Sequence, residues 1–125
     1  MDSQNTDQKL AVITGGASGI GLSCSKRFAK EGYAVLIIDA NKEAGEQELK
    51  SLKSDSYNTD FAYCDITKHE QVAAIFQGLG EQNKCAQVLV NCAGISPALN
   101  ALHEYPVEEW HRAIDINLHG TFYAC

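Results

Sequence analysis

Apolar residues fall into short runs that alternate with stretches of helical spacing. Residues 9–13 carry the run Leu10–Ile13 and read as a first strand. Ile20, Cys24 and Phe28 then recur every four residues, which predicts a helix over 19–31. Gly32 stands where a left-handed helix stop is expected. Residues 33–38 (Tyr-Ala-Val-Leu-Ile-Ile) are almost continuously apolar, as in a strand covered on both faces of a parallel sheet. Asp39 ends this run, and Asn41 is placed to cap a second helix running to about Lys53. The apolar face of that helix is thin: Ala44, Leu49 and Leu52.

Residues 58–64 alternate loosely and read as a third strand. Thr67-Lys68-His69-Glu70 fits a capping box. Behind it Val72, Ile75, Phe76 and Leu79 fall at i, i+3, i+4 and i+7, a core-facing helix stripe. Gln87–Val90 reads as a fourth strand and Asn91–Tyr105 as a loop. Pro106 suits a first helical turn, and Trp110, Ile114, Leu118 and Phe122 then repeat on one helical face. Strands alternating with helices predict an α/β class: a Rossmann-like, doubly wound parallel sheet of four strands with flanking helices. Residues 9–125 form the one domain expected, and residues 1–8, polar and acidic, a frayed tail.

Composition narrows the function classes. The 125 residues are 45% apolar and 21% charged, ordinary for a globular domain. The net charge of -6 and the absence of any Lys/Arg cluster argue against a nucleic-acid partner. The apolar run Ala34–Ile38 is far too short to cross a bilayer, and the amino terminus has neither the basic start nor the apolar middle of a signal peptide. Five cysteines at irregular spacings, without Cys-x-x-Cys, predict neither a disulfide framework nor a metal site. They read as reduced, mostly buried thiols of a cytoplasmic protein.

The chemistry concentrates at the turn behind the first strand, Thr14-Gly15-Gly16-Ala17-Ser18-Gly19-Ile20-Gly21. A strand, a glycine turn and a helix start present free backbone N–H groups where the helix dipole is positive, which suits a phosphate. The spacing is not the G-x-G-x-x-G usual for dinucleotide sites, and tight structural turns are also glycine-rich. Asp39 shifts the balance, since it ends the second strand 18 residues after Gly21. A carboxylate there accepts hydrogen bonds from both hydroxyls of an adenosine ribose and repels a 2′-phosphate, so NAD is expected over NADP. The other reading of Asp39 is an acid capping the second helix. Asn117 is a poor helix-interior residue and, on its own, reads equally as a surface position.

Taken in order, these landmarks resemble the short-chain dehydrogenases/reductases. Residues 14–21 look like the family's cofactor loop, Asp39 like its NAD-selecting acid, and Asp65-Ile66 like the segment after the third strand that meets the adenine. Asn91-Cys92-Ala93-Gly94 resembles the Asn-Asn-Ala-Gly segment after the fourth strand, with Cys92 in place of the commoner Asn. Asp115-Ile116-Asn117-Leu118-His119-Gly120 resembles the helix whose Asn joins the catalytic group. The resemblance implies that Gly15, Gly19, Ile20 and Gly21 cradle the pyrophosphate by backbone and that Ser18 offers a hydroxyl to the phosphate or ribose. Ala93 and Gly94 let backbone approach the cofactor, Asn91 braces the end of the fourth strand, and Asn117 holds a water in a proton relay.

The implied reaction is hydride transfer between NAD(H) and an alcohol or carbonyl substrate, in a protein that is a homo-oligomer at full length. In this family a Ser, and a Tyr with a Lys four residues on, act on the substrate. Tyr33, Tyr57, Tyr63 and Tyr105 are followed four places later by Ile37, Phe61, Thr67 and Glu109, and Tyr123 has no such partner. The expectation is therefore the N-terminal, cofactor-binding part of a longer oxidoreductase, inactive as these 125 residues alone. The alternative is a non-catalytic nucleotide-binding module or an interaction subunit.

Overall fold

The computed structural model describes residues 7–125. Residues 1–6, most of the expected tail, lie outside the described residues. Gln8 is tied to the domain: its Nε2 donates to Gly32 O at 3.0 Å and its Oε1 accepts from Asn58 Nδ2 at 2.8 Å.

Four parallel strands, β1 (Leu10–Thr14), β2 (Ala34–Asp39), β3 (Thr59–Tyr63) and β4 (Ala86–Asn91), form one sheet in the order β3-β2-β1-β4. The helices α1 (Gly19–Lys30), α2 (Lys42–Ser54) and α3 (His69–Glu81) connect them. This is a doubly wound, Rossmann-type parallel sheet. Every residue of β1 is buried, as are Val35–Ile38 of β2, because helices cover both faces. Alternation along the strands divides the core in two. Val12, Leu36, Ile38 and Cys64 pack with Val72 of α3, while Ala11, Ile13, Val35 and Ile37 pack with Ala29 of α1 and Leu52 of α2.

The thin apolar face of α2 is compensated by Gly45, where a Cβ would overlap the ring of Phe61 in β3. The helix lies close on the sheet because that side chain is missing. At the opposite end of the sheet the β1–β4 register slips between Leu10 and Ala11, and the Gln87 side chain accepts from Leu10 N at 2.7 Å. The donor freed by the bulge is thereby satisfied.

Four expectations are corrected. The capping box does not form: Lys68 is the N-cap of α3, and the Thr67 hydroxyl donates instead to Asp65 Oδ1 at 2.7 Å. Pro106 stands just outside the last helix, at the N-cap of α4 (Val107–Ile114). The stripe Trp110, Leu118 and Phe122 is exposed, whereas Ile116 and Tyr123 pack on the core and Gly120 and Ala124 are buried. A π-helical stretch over Asp115–Gly120 leads into α5 (Thr121–Ala124), and the covered face there is Ile116, Gly120, Tyr123 and Ala124. The cysteines are not mostly buried: Cys64 is, Cys24 and Cys92 are half-buried, and Cys85 and Cys125 are exposed. No helix among the described residues is long and apolar enough to cross a membrane.

Candidate functional site

A cleft of about 940 Å³ opens at the carboxyl ends of the strands, the position where open parallel sheets take ligands. Its wall carries Gly15, Ser18, Gly19, Ile20, Gly21, Asp39, Asp65, Ile66, Ala93 and Gly94. Asn91 and Asn117 are not on that wall. Cys92, Ile95, Lys42, Arg112 and Ile116 are on it, and of these the sequence reading assigned a ligand to none.

The glycine turn is held from three sides. Gly15 N donates to Ile38 O at 2.8 Å, and Ala17 N donates to Asp39 Oδ2 at 3.1 Å. The Ser25 hydroxyl, fully buried, lies 3.1 Å from Gly16 O and 3.0 Å from Gly21 O. Gly15 sits at φ +62°, and a Cβ on it would come within 2.7 Å of Ala93 N, so turn and β4 end touch backbone to backbone. Gly21 is packed as tightly, against Gly15 O and the Cys92 side chain. Gly19, at φ +55°, is different: nothing lies within 4 Å of its missing Cβ. Gly19 thus borders the open cleft at the first turn of α1, whose N–H groups have no intrahelical partner. Ser18, the N-cap, leaves its hydroxyl uncommitted, and Ile20 is 78% exposed at the rim. A left-handed turn with free donors, open space above it and an apolar rim fits a diphosphate joined to flat rings.

Asp39 joins the glycine turn to the start of α2. Its Oδ1 accepts from Asn41 N at 2.9 Å, which sets up the turn into α2, while the Asn41 side chain makes the cap itself by accepting from Ala44 N at 3.0 Å. Its Oδ2 holds the glycine turn. Both oxygens keep further acceptor capacity, and Asp39 lines the cleft. Asp65 accepts from Thr67 N and Oγ1 through Oδ1 alone, and its own N–H donates to Gln71 Oε1 at 3.0 Å. The Thr67 hydrogen bond holds the Asp65 carboxyl below its ordinary value.

At the far side, Thr14 Oγ1 accepts from Ala93 N at 3.2 Å, so β1 positions the segment after β4. The Asn91 side chain reaches only Cys125 Sγ, at 3.7 Å. Asn117, in the π-helical stretch, exchanges two hydrogen bonds with the main chain of Ile95. Thr14 and Ser25 are functional supports that the sequence reading missed. A Ser four residues after Gly21 in a helix is a signal for a back-bond to that carbonyl. The Thr14 contact joins residues 79 apart and leaves no local trace.

Residues 9–125 match the family described as short chain dehydrogenase. The chain belongs to that family. Among curated relatives, it is 39% identical over 118 residues to 3-hydroxyacyl-CoA dehydrogenase type-2 of Rattus norvegicus, covering 90% of this chain and 44% of that protein. It is 33% identical over 119 residues to 3beta-hydroxysteroid dehydrogenase of Mediterraneibacter gnavus, covering 95% and 43%. Among solved structures, gox2181 superposes with a TM-score of 0.90 at 30% identity, over 95% of this chain and 46% of that one. ElxO with NADP bound gives 0.85 at 34%, over 94% and 47%. The chain thus spans somewhat less than half the length of these relatives.

Proposed function

We propose that this chain is the NAD-binding part of a cytoplasmic short-chain oxidoreductase, homo-oligomeric at full length, that moves a hydride between NAD(H) and an alcohol or carbonyl substrate. The observation that carries this reading is the Asp39 carboxylate, bonded to the glycine turn at Ala17 and facing the same cleft. The nicotinamide ring supplies the hydride chemistry when bound. The chain's own residues bind and orient: backbone N–H groups at Gly19–Gly21 meet the pyrophosphate, and Ser18 adds a hydroxyl. Asp39 takes the adenosine ribose, Asp65 and Ile66 border the adenine, and Ala93 and Gly94 let backbone approach the second ribose.

Asn91 and Asn117 act from behind the wall. The Asn117 side chain is committed to Ile95, so its part in a proton relay falls to its main-chain carbonyl, which Thr121 Oγ1 also meets at 3.2 Å. No tyrosine in these 125 residues has a lysine four places on. The Ser, Tyr and Lys of the reaction belong to the length that the relatives have in addition, and the 125 residues alone bind nucleotide without turnover. The relatives' names support the substrate class: a hydroxyacyl-CoA and a hydroxysteroid are both alcohols.

The preference for NAD rests on charge, because Asp39 repels a 2′-phosphate. One relative is named for NAD(+), whereas ElxO was solved with NADP. Calorimetric titration with NAD, NADP and ADP-ribose tests the assignment. NAD and ADP-ribose bind and NADP binds more weakly; tighter binding of NADP, or no binding of any of the three, overturns it.

A further inference from the structure

Two thiols meet beneath the cleft. Along β4 the side chains of residues 88, 90 and 92 share one face. Val88 and Val90 cover the same buried cluster that Cys24 and Phe28 of α1 cover. Gly21 lies one turn before Cys24 on the same helix face, and a Cβ on Gly21 would stand 3.2 Å from Cys92 Cβ. Cys24 and Cys92 therefore approach each other at the contact between α1 and the end of β4. Both are free and half-buried, and Cys92 also lies on the cleft wall. Burial, with the Cys24 thiol beside it, pushes the Cys92 thiol up from its ordinary value.

We propose that Cys24 and Cys92 form an oxidative modification site, which a low-molecular-weight disulfide entering through the cleft converts to an intramolecular disulfide. One thiol loses its proton and attacks oxidised glutathione, forming a mixed protein–glutathione disulfide and expelling one glutathione thiolate. The second thiol, deprotonated, attacks the protein sulfur of that mixed disulfide and expels the other. Two protein thiols are oxidised, one glutathione disulfide is reduced to two thiols, and the two protons pass to the leaving thiolates. The thiolate is the attacking form, so the reaction speeds up as pH rises. The link ties the first turns of α1 to the β4 end, the two segments that frame the glycine turn. Protection by nucleotide rests on the cofactor reading; formation of the link does not.

The experiment incubates the reduced protein with oxidised glutathione, blocks remaining thiols, digests without reductant and maps linked peptides by mass spectrometry. A Cys24–Cys92 peptide appears, two hydrogen atoms lighter than its parts, and dithiothreitol reverses it. Cys24→Ser abolishes the link and leaves a glutathione adduct on Cys92, without changing NAD affinity. NAD at ten times its dissociation constant slows the link about tenfold, because only the free protein reacts, and leaves the adduct on exposed Cys85 unaffected. Absence of the Cys24–Cys92 peptide while Cys85 reacts overturns the proposal. A link that forms at the same rate with NAD bound overturns entry through the cleft. If calorimetry shows no NAD binding and the link still forms, the thiol site stands and the cofactor reading alone fails.

Discussion

Asn117 holds the Ile95 main chain by both polar atoms of its side-chain amide. Ile95 N donates to Asn117 Oδ1 at 2.8 Å, and Asn117 Nδ2 donates to Ile95 O at 2.9 Å. The side chain thus imitates a neighbouring strand and pins the segment after β4 to the π-helical stretch. Gly94 lies in between, where a Cβ would stand 3.1 Å from Asn117 Oδ1. The Asn117 main-chain carbonyl is set in position by the same pair.

Asn117→Ala removes both bonds. At roughly 0.5–1.5 kcal/mol for each net hydrogen bond, less where solvent competes, the expected loss of stability is about 1–2 kcal/mol. Hydrogen exchange at the Ile95 amide accelerates well beyond that of β1 amides. Asn117→Asp keeps an acceptor for Ile95 N but sets a carboxylate oxygen against Ile95 O, so protection falls in this variant too. Equal Ile95 exchange in the wild type and Asn117→Ala contradicts the pinning role.

Gly15 and Gly19 are both left-handed, yet their substitution has different consequences. Gly15→Ala meets the Ala93 backbone, so it costs more than the ~1–2 kcal/mol of the left-handed conformation alone. Gly19→Ala meets nothing in the protein and costs only that conformational energy, but its methyl enters the space in which the proposed cradle would hold a phosphate. Thermal melts rank Gly15→Ala as the less stable variant, while calorimetry finds NAD binding lost in Gly19→Ala even where the protein is folded. Full NAD affinity in Gly19→Ala refutes the cradle.

Ser25→Ala leaves the buried Gly16 carbonyl without its hydroxyl partner. An unsatisfied buried acceptor costs about 1–3 kcal/mol. The melting temperature falls and NAD binds more weakly, since the glycine turn loses its support from below. A variant that melts with the wild type shows the bond to be dispensable.

Asp65 gives a pH dependence of known sign. Its folded pKa is lowered, first by the Thr67 hydroxyl, so it stabilises the fold above the unfolded pKa and loses that contribution as pH falls through the folded one. Thr67→Val removes the hydroxyl bond and keeps the backbone one. In a carboxyl NMR titration Asp65 then protonates at higher pH than in the wild type, and acid unfolding begins earlier. An unchanged Asp65 titration shows that another group sets its charge.

Most of the fold is legible along the chain because its causes are local. The apolar runs at Leu10–Ile13 and Ala34–Ile38 have no solvent-facing alternation, and only a sheet covered on both sides hides them. Gly32 ends α1 at φ +88° because few other residues adopt that conformation. Asn41 caps α2 through a bond three residues long. The glycine turn and Asp39 are likewise placed by strand ends, which hydrophobic periodicity locates. That residues 15, 18–21, 39, 65, 66, 93 and 94 share one cleft follows from their places at the carboxyl ends of neighbouring parallel strands.

Tertiary contacts decided the rest. Thr67 could bond forward to a helix N–H or back to Asp65, and the geometry after β3 selects Asp65. The spacing of Trp110, Leu118 and Phe122 fits a regular helix. Gly120 instead meets Ile66, which a Cβ would approach to 2.5 Å, and the π-helical turn that accompanies this contact brings Ile116 and Tyr123 to the core. The partners Thr14 with Ala93 and Asn117 with Ile95 are distant in sequence. Periodicity specifies which face of an element is apolar, and only the packing of one element on another specifies which polar group or thiol it will meet.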